Sequence, residues 1–251
     1  MSDDAPIQLE VRNSVLIITL DRPDVLNAQN QAMRDQLVEA LDRLDDDDTL
    51  LVGVIRGAGR AFSAGADLKE LLDDSSGGRP DVDRTIRMRP FVRLDATRKP
   101  LIAVVHGWTI AGGLELALCC DLRVAAADAK FALPEPRSIG AMAGVAVHRL
   151  AQMIPLGEAL RLLLTAQPID AERAYAIGLV QEVAADADAA LDVALELAAQ
   201  IAECDAGAIA NAKQIARSQL NREVAVSGRF AVDVGALGAL GTQRFGPASK
   251  P

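Results

Sequence analysis

Two acidic side chains interrupt apolar surroundings in this chain: Glu115, within Ala111-Gly112-Gly113-Leu114-Glu115-Leu116, and Glu135, within Ala132-Leu133-Pro134-Glu135-Pro136. A carboxylate among Leu, Ala and Pro loses hydration, so it finds partners, rises in pKa, or is retained for chemistry despite its cost. Two of them suggest paired proton-transfer groups. Taken singly, either is explained equally well as a helix cap or a surface group.

Two small-residue turns offer the complementary chemistry. Phe62-Ser63-Ala64-Gly65-Ala66-Asp67-Leu68 and Ile110-Ala111-Gly112-Gly113-Leu114-Glu115 each follow an apolar strand and lead into a helix. Glycine and alanine let a ligand approach the main chain closely, and the first turn of a helix leaves N–H groups free to donate. Side by side, two such turns would make an oxyanion hole; either alone just closes a tight corner.

The elements that must position these residues follow from periodicity. Ile7 to Val11 and Val15 to Leu20 alternate as strands around Arg12-Asn13-Ser14, which predicts an opening hairpin. Met33, Leu37, Leu41 and Leu44 fall on one face of a helix from about Asn30 to Asp45, and the acidic run Asp45 to Asp48 is expected as its solvated stop. Leu50 to Ile55, Leu101 to Val105 and Leu122 to Ala125 are short apolar runs alternating with helices, the pattern of an α/β fold with buried parallel strands. Asp73 to Asp83 reads as a loop, either a surface insertion or a flap over a ligand. A helix starts at Pro155-Leu156-Gly157-Glu158, a short strand is predicted over Leu179 to Val183, and long helices over Asp186 to Glu203 and Ala206 to Leu220. The stretch after Asn221 is expected to fray.

Composition bounds the function. With 251 residues, 50% of them hydrophobic, the chain can bury a large core. The net charge of -9 and the scarcity of aromatic residues argue against nucleic acid. No apolar stretch approaches a bilayer span, and Met1-Ser2-Asp3-Asp4 is acidic where a secretory signal is basic, so a cytoplasmic protein without membrane attachment is expected. A phosphate-bearing ligand would need a local basic patch, for which Arg22, Lys69, Arg98, Lys99 and Lys213 are candidates beside the ordinary reading as solvated surface charge. Cys119 and Cys120 read as small buried side chains rather than a disulfide framework. His106 and His148 lack the carboxylate spacing of a metal site, and Trp108 is expected in core packing or in the wall of a ligand pocket.

In their order, these pieces resemble the crotonase family, the enoyl-CoA hydratase/isomerases. The resemblance is carried by Asp21-Arg22-Pro23 with Leu26-Asn27-Ala28, by Ala61 to Leu68, and by Lys99-Pro100 with the strand to Gly107. It continues through Gly112-Gly113-Leu114-Glu115-Leu116-Ala117 with Cys120-Asp121, Phe131 with Pro134-Glu135, Leu163 and Thr165, Ala174, and Gly178-Leu179-Val180.

That resemblance implies an α/β fold: a ββα superhelix of two roughly perpendicular sheets, with residues 1–195 as acyl-CoA-binding and catalytic core and 196–251 as a C-terminal helical oligomerisation region. It implies an acyl-CoA thioester as substrate, with coenzyme A part of the substrate and no separate cofactor or metal, and a homotrimer or homohexamer. The matching oxyanion donors are the N–H groups of Ala66 and Gly112; Ala28, Ala64, Asp67 and Leu68, together with those two, line the acyl-CoA passage. Glu115 is assigned to activation of water and Glu135 to the α-carbon proton. The implied reaction is hydration of a 2-enoyl-CoA or its reversal, with an enoyl-CoA isomerase or a noncatalytic acyl-CoA-binding subunit as alternatives.

The chain departs from the family after Glu135, where Pro136-Arg137-Ser138-Ile139-Gly140-Ala141-Met142-Ala143-Gly144-Val145 replaces the usual glycine pattern around the water. Arg137 is either a specificity element for a polar acyl group or a surface salt-bridge partner. The tail from Gly241 to Phe245 also lacks the usual motifs.

Overall fold

The opening hairpin forms as its residues demand. Strand β1 (Ile7–Arg12) pairs antiparallel with β2 (Val15–Leu20), and Asn13 turns the chain at φ 55°, a left-handed conformation that Asn tolerates better than most residues. Helix α1 (Gln31–Asp46) starts at Asn30, whose side-chain oxygen accepts the Met33 N–H at 3.0 Å, and it buries Met33, Leu37, Leu41 and Leu44. The computed structural model describes residues 5–67, 69, 70, 82–138 and 144–227.

From here the chain repeats one unit, a longer strand followed by a short one. β3 (Val52–Gly57) leads to β4 (Ala61–Ser63), β5 (Leu101–Val105) to β6 (Trp108–Ile110), and β7 (Leu122–Ala126) to β8 (Lys130–Ala132). Helices α2 (Val82–Ala96), α3 (Gly112–Cys119) and α4 (Glu135–Ser138) separate or follow these units. The longer strands join the hairpin in a six-stranded sheet of order β1-β2-β3-β5-β7-β10, parallel from β2 onward and closed by β10 (Glu182–Ala184). The short strands form a second sheet of order β4-β6-β8-β9, with β9 (Ile169–Asp170) antiparallel to β8. Parallel neighbours need crossovers, and it is these crossovers that carry the glycine turns and both acids to one edge of the small sheet.

Alternation along the large sheet supplies two apolar faces. Leu16, Ile18, Ile55, Ala103 and Val105 pack towards α1 and α3, while Val15, Ile17, Val54, Ile102, Val104 and Val124 face the other way. That second face is covered by α8 (Ala187–Ala202), whose Ala190, Ala194 and Ala198 lie four residues apart and let the helix sit close on the strands. Before it run α5 (Gly144–Met153), α6 (Leu156–Thr165) and α7 (Ala171–Ala176), and after it α9 (Ala206–Ser227). Residue 195, the expected boundary, lies inside α8, which lies across β3, β5 and β7 as one element.

Three expectations are corrected. The strand predicted over Leu179 to Val183 begins only at Glu182, because the N–H groups of Leu179 and Val180 both donate to Ala174 O in the turn that ends α7. Asp45 is not merely a solvated stop: it pairs with Arg93 at 2.9 Å and accepts the N–H groups of Arg98 and Lys99. Of the loop read over Asp73 to Asp83, residues 73–81 lie outside the described residues, and Val82 and Asp83 already belong to α2.

Two cations proposed for a phosphate patch are structural instead. Lys99 Nζ donates to Leu44 O and Asp47 O at the end of α1, each at 2.7 Å. Lys213 and Arg217 of α9 both grip Asp121, at 2.7 and 2.6 Å, and Asp121 also accepts the Leu101 N–H. Arg217 lies 3.6 Å from Asp95, which pairs with Arg149. Removing the shared anion strands two largely buried cations. Asp121→Ala is therefore expected to lower the unfolding free energy by about 3–5 kcal/mol in urea titrations; a loss below about 1 kcal/mol, the worth of an exposed pair, would mean that apolar contact alone holds α9.

Candidate active site

The two glycine turns meet at main-chain distance. A Cβ added to Gly65 would lie 2.7 Å from Gly112 N, and one added to Gly113 would lie 2.3 Å from Ser63 O. No side chain fits in either gap, so both positions require glycine, Gly65 additionally because its φ is 86°. The contact brings Ala66 N within 3.5 Å of the place a Gly112 Cβ would occupy. Neither Ala66 N–H nor Gly112 N–H donates to an acceptor among the described residues. Two idle donors thus lie on adjoining turns.

Ala111 aims the second donor. Its φ of 52° and ψ of −130° are unusual for a residue with a side chain, a strain of order 1–3 kcal/mol that the surroundings must hold. Its N–H donates to Ala132 O at 3.1 Å and its carbonyl accepts Glu115 N–H at 3.0 Å. The peptide between them is turned out of the ladder, leaving Gly112 N–H unpaired.

The first donor is held from the turn after β2. Asn27 is fully buried; its Oδ1 accepts Arg22 N–H at 2.8 Å and its Nδ2 donates to Ala58 O and Ala61 O at 2.9 and 2.8 Å. Ser63 Oγ donates to Asn27 O and accepts Gly65 N–H. Ala64 N–H donates to Leu26 O at 2.8 Å. Arg22, another cation considered for phosphate, is committed to Ala28 O at 2.6 Å and Asp67 at 2.9 Å. That pair pulls Asp67 below the usual carboxylate range against the opposing effect of burial. Ala28, Ala64 and Asp67 are therefore tied together beside Ala66, Leu68 lies outside the described residues, and of the five cations only Lys69 and Arg98 remain exposed.

The two acids lie close enough for the charge of one to act on the other. Ile110 pairs with Ala132 across β6 and β8, so α3 and α4 begin side by side, with Glu115 one turn into the first and Glu135 opening the second. Glu115 is buried and its Oε1 accepts Ala146 N–H at 3.1 Å, so it caps α5 rather than its own helix. Burial pushes its pKa up to about 8; the Ala146 hydrogen bond opposes this and the charge of Glu135 adds to it. Desolvation, more than like-charge repulsion, is thus the main cause. Glu135 is also raised by burial, and its Oε2 has no hydrogen-bond partner among the described residues. A buried carboxylate oxygen left unpaired is costly and calls for a functional explanation.

Other expectations resolve individually. Trp108 is not core: it is 39% exposed, with Lys130 Nζ 5.4 Å from its ring centroid, because the alternation of β6 turns Thr109 inward instead. Arg137 makes no salt bridge among the described residues; its Nε donates to Thr165 O at 3.0 Å. His106 is buried with Nε2 on Gly59 O, and His148 is half-buried on α5. Cys119 and Cys120 are buried, the latter thiol pushed up to about 12 by burial. Ala143 and its neighbours at 139–142 lie outside the described residues. Among the described residues no group of His, Cys, Asp or Glu is gathered as a metal site requires, and no helix is long and apolar enough to cross a membrane. Sequence reasoning missed Gln29, Arg34 and Glu70. Arg34 donates to Gln29 O at 2.7 Å and pairs with Glu70 at 2.7 Å, bracing the Gly65–Asp67 loop against α1.

The raised pKa of Glu115 has a thermodynamic signature. The folded chain holds this proton more tightly than the unfolded chain, whose carboxyl has its ordinary value of 4.5. The stability it contributes is full below that value and is lost as pH rises towards about 8. Glu115→Gln is expected to remove this decline and to be the more stable protein at pH 8, measured by urea unfolding across pH 5 to 8. Parallel curves for the two proteins would contradict the assignment.

This geometry has relatives. The family described as enoyl-CoA hydratase/isomerase matches residues 10–237. The 2,3-dehydroadipyl-CoA hydratase of Escherichia coli is 38% identical over 221 residues, covering 86% of this chain and 83% of that protein. Among solved structures, an enoyl-CoA hydratase/isomerase from Mycobacterium paratuberculosis superposes with a TM-score of 0.83 at 31% identity, covering 93% of this chain and 94% of that one. An enoyl-CoA hydratase from Mycobacterium marinum gives 0.78 at 38% identity, covering 95% and 91%. Fold, paired turns and these likenesses coincide: the chain belongs to the enoyl-CoA hydratase/isomerase family, with its crotonase-like fold.

Proposed function

We propose that this protein adds water across the double bond of a 2-enoyl-CoA, or runs the reverse dehydration. What supports this reading is the pair of desolvated acids at the starts of α3 and α4, one with an oxygen that has no partner among the described residues, together with two main-chain N–H groups that have no acceptor among them. Attack of water at the β carbon moves electrons onto the thioester oxygen. Ala66 N–H and Gly112 N–H receive that charge without reorganising, a contribution of roughly 3–4 kcal/mol per donor in comparable sites.

Glu115 takes the proton from the attacking water, and Glu135 delivers a proton to the α carbon. Burial supports both roles. A carboxyl with a pKa near neutrality both accepts and releases a proton at working pH, and the value of about 8 for Glu115 places it in that range. The two interact, so their titration belongs to the pair. In this reading coenzyme A enters as part of the substrate and no further cofactor takes part. The wider assignment is a homotrimer or homohexamer assembled through residues 196–251 and working in the cytoplasm. The E. coli relative, by its name, acts on an acyl group with a second carboxyl; the chain length and polarity accepted here are best read from a panel of enoyl-CoAs.

Retention of both acids favours hydration over double-bond migration, for which a single base suffices. Glu135→Gln is expected to lower kcat for crotonyl-CoA hydration by at least about 100-fold with KM changed far less. Wild-type turnover in that variant, or faster migration of a 3-enoyl-CoA double bond than hydration by the unaltered enzyme, would count against the reading.

A further inference from the structure

Gln29 contacts both halves of the oxyanion site. It sits in the polar run Asn27-Ala28-Gln29-Asn30, yet it is only 5% exposed. Its N–H donates to Gly65 O at 2.7 Å and its carbonyl accepts Asp67 N–H at 3.2 Å. The Gly65 carbonyl and the Ala66 N–H belong to one planar peptide and point in opposite directions. Holding that carbonyl therefore aims the Ala66 N–H.

The side chain crosses to the other turn. Nε2 donates to Gly112 O at 3.2 Å and approaches Ser63 Oγ at 3.4 Å, while Oε1 lies 3.8 Å from the place a Gly112 Cβ would occupy. The Gly112 carbonyl belongs to the peptide that follows the Gly112 N–H, so this bond acts one peptide further along: it anchors the start of α3, and with it the residue that carries the second donor, to the Gly65 turn. Burying an amide costs free energy unless its hydrogen bonds are made, and here Nε2 makes them across the two turns. An apolar side chain of this size would fill the volume without that cost, but it would tie nothing together.

We propose that Gln29 is a positioning residue for the reaction: it fixes the separation and direction of the two N–H groups that receive the thioester oxygen. The inference rests on the hydratase reading only in taking a thioester as the ligand. Misplacement of such donors by a fraction of an ångström is expected to slow chemistry more than binding.

The test compares the intact protein with Gln29→Leu and Gln29→Met. Two readouts are used: kcat and KM for crotonyl-CoA, and the infrared carbonyl band of bound butyryl-CoA carrying carbon-13 at the thioester carbon. In the variants kcat is expected to fall by roughly tenfold or more, with KM within about threefold, and the bound carbonyl band to move back towards that of the free thioester. An unchanged band, or losses of kcat, KM and melting temperature together without a band shift, would make Gln29 a packing residue and overturn the proposal. Failure of both variants to fold would overturn it too. If the unaltered protein polarises the bound carbonyl but hydrates no enoyl-CoA, the hydratase reading fails, and a band shift in the variants still supports the role of Gln29.

Discussion

The structure depends on one close approach: the main chain at Gly65 and the start of α3 touch with no side chain between them. A Cβ on either Gly65 or Gly113 would fall within 2.8 Å of atoms across the gap. Everything around that contact serves to hold it. The longer strands of the large sheet fix where each short strand begins, Asn27 bonds the turn after β2 to the β3–β4 connection, and Ala111 is kept in a strained conformation by ladder and helix bonds on either side. The local cost is borne by a core of buried strands, a common arrangement where backbone geometry is part of a mechanism.

The same contact sets the electrostatics. Because α3 and α4 both spring from neighbouring short strands, their first-turn acids share one dry region, and desolvation raises both. Ala146 N–H moderates Glu115 alone, while Glu135 Oε2 has no partner among the described residues. The two carboxyls thus have different environments although they lie in one site, which is the physical basis for giving them different roles.

Much of this was legible in the sequence, where local signals are strong. The hairpin, α1 and β5 follow from alternation and helical spacing, and the acids stand out because they interrupt apolar runs. What escaped was governed by partners distant along the chain. Lys99 and Lys213 look like surface cations until α1 and Asp121 are placed beside them. Gln29 looks like one polar residue among several, since nothing in Asn27-Ala28-Gln29-Asn30 says that its amide will meet Gly112. Strand β10 was misplaced because the turn after α7 claims two N–H groups that a periodicity argument assigns to a ladder.

The central claim is that Ala66 N–H and Gly112 N–H converge on a single carbonyl oxygen. Nitrogen-15 labelling of alanine and glycine, followed by NMR titration with butyryl-CoA and with free coenzyme A, examines it directly. The account predicts that both amide protons move downfield on saturation with the thioester and that coenzyme A alone leaves them in place. Movement of neither proton, or the same movement with coenzyme A alone, would contradict it.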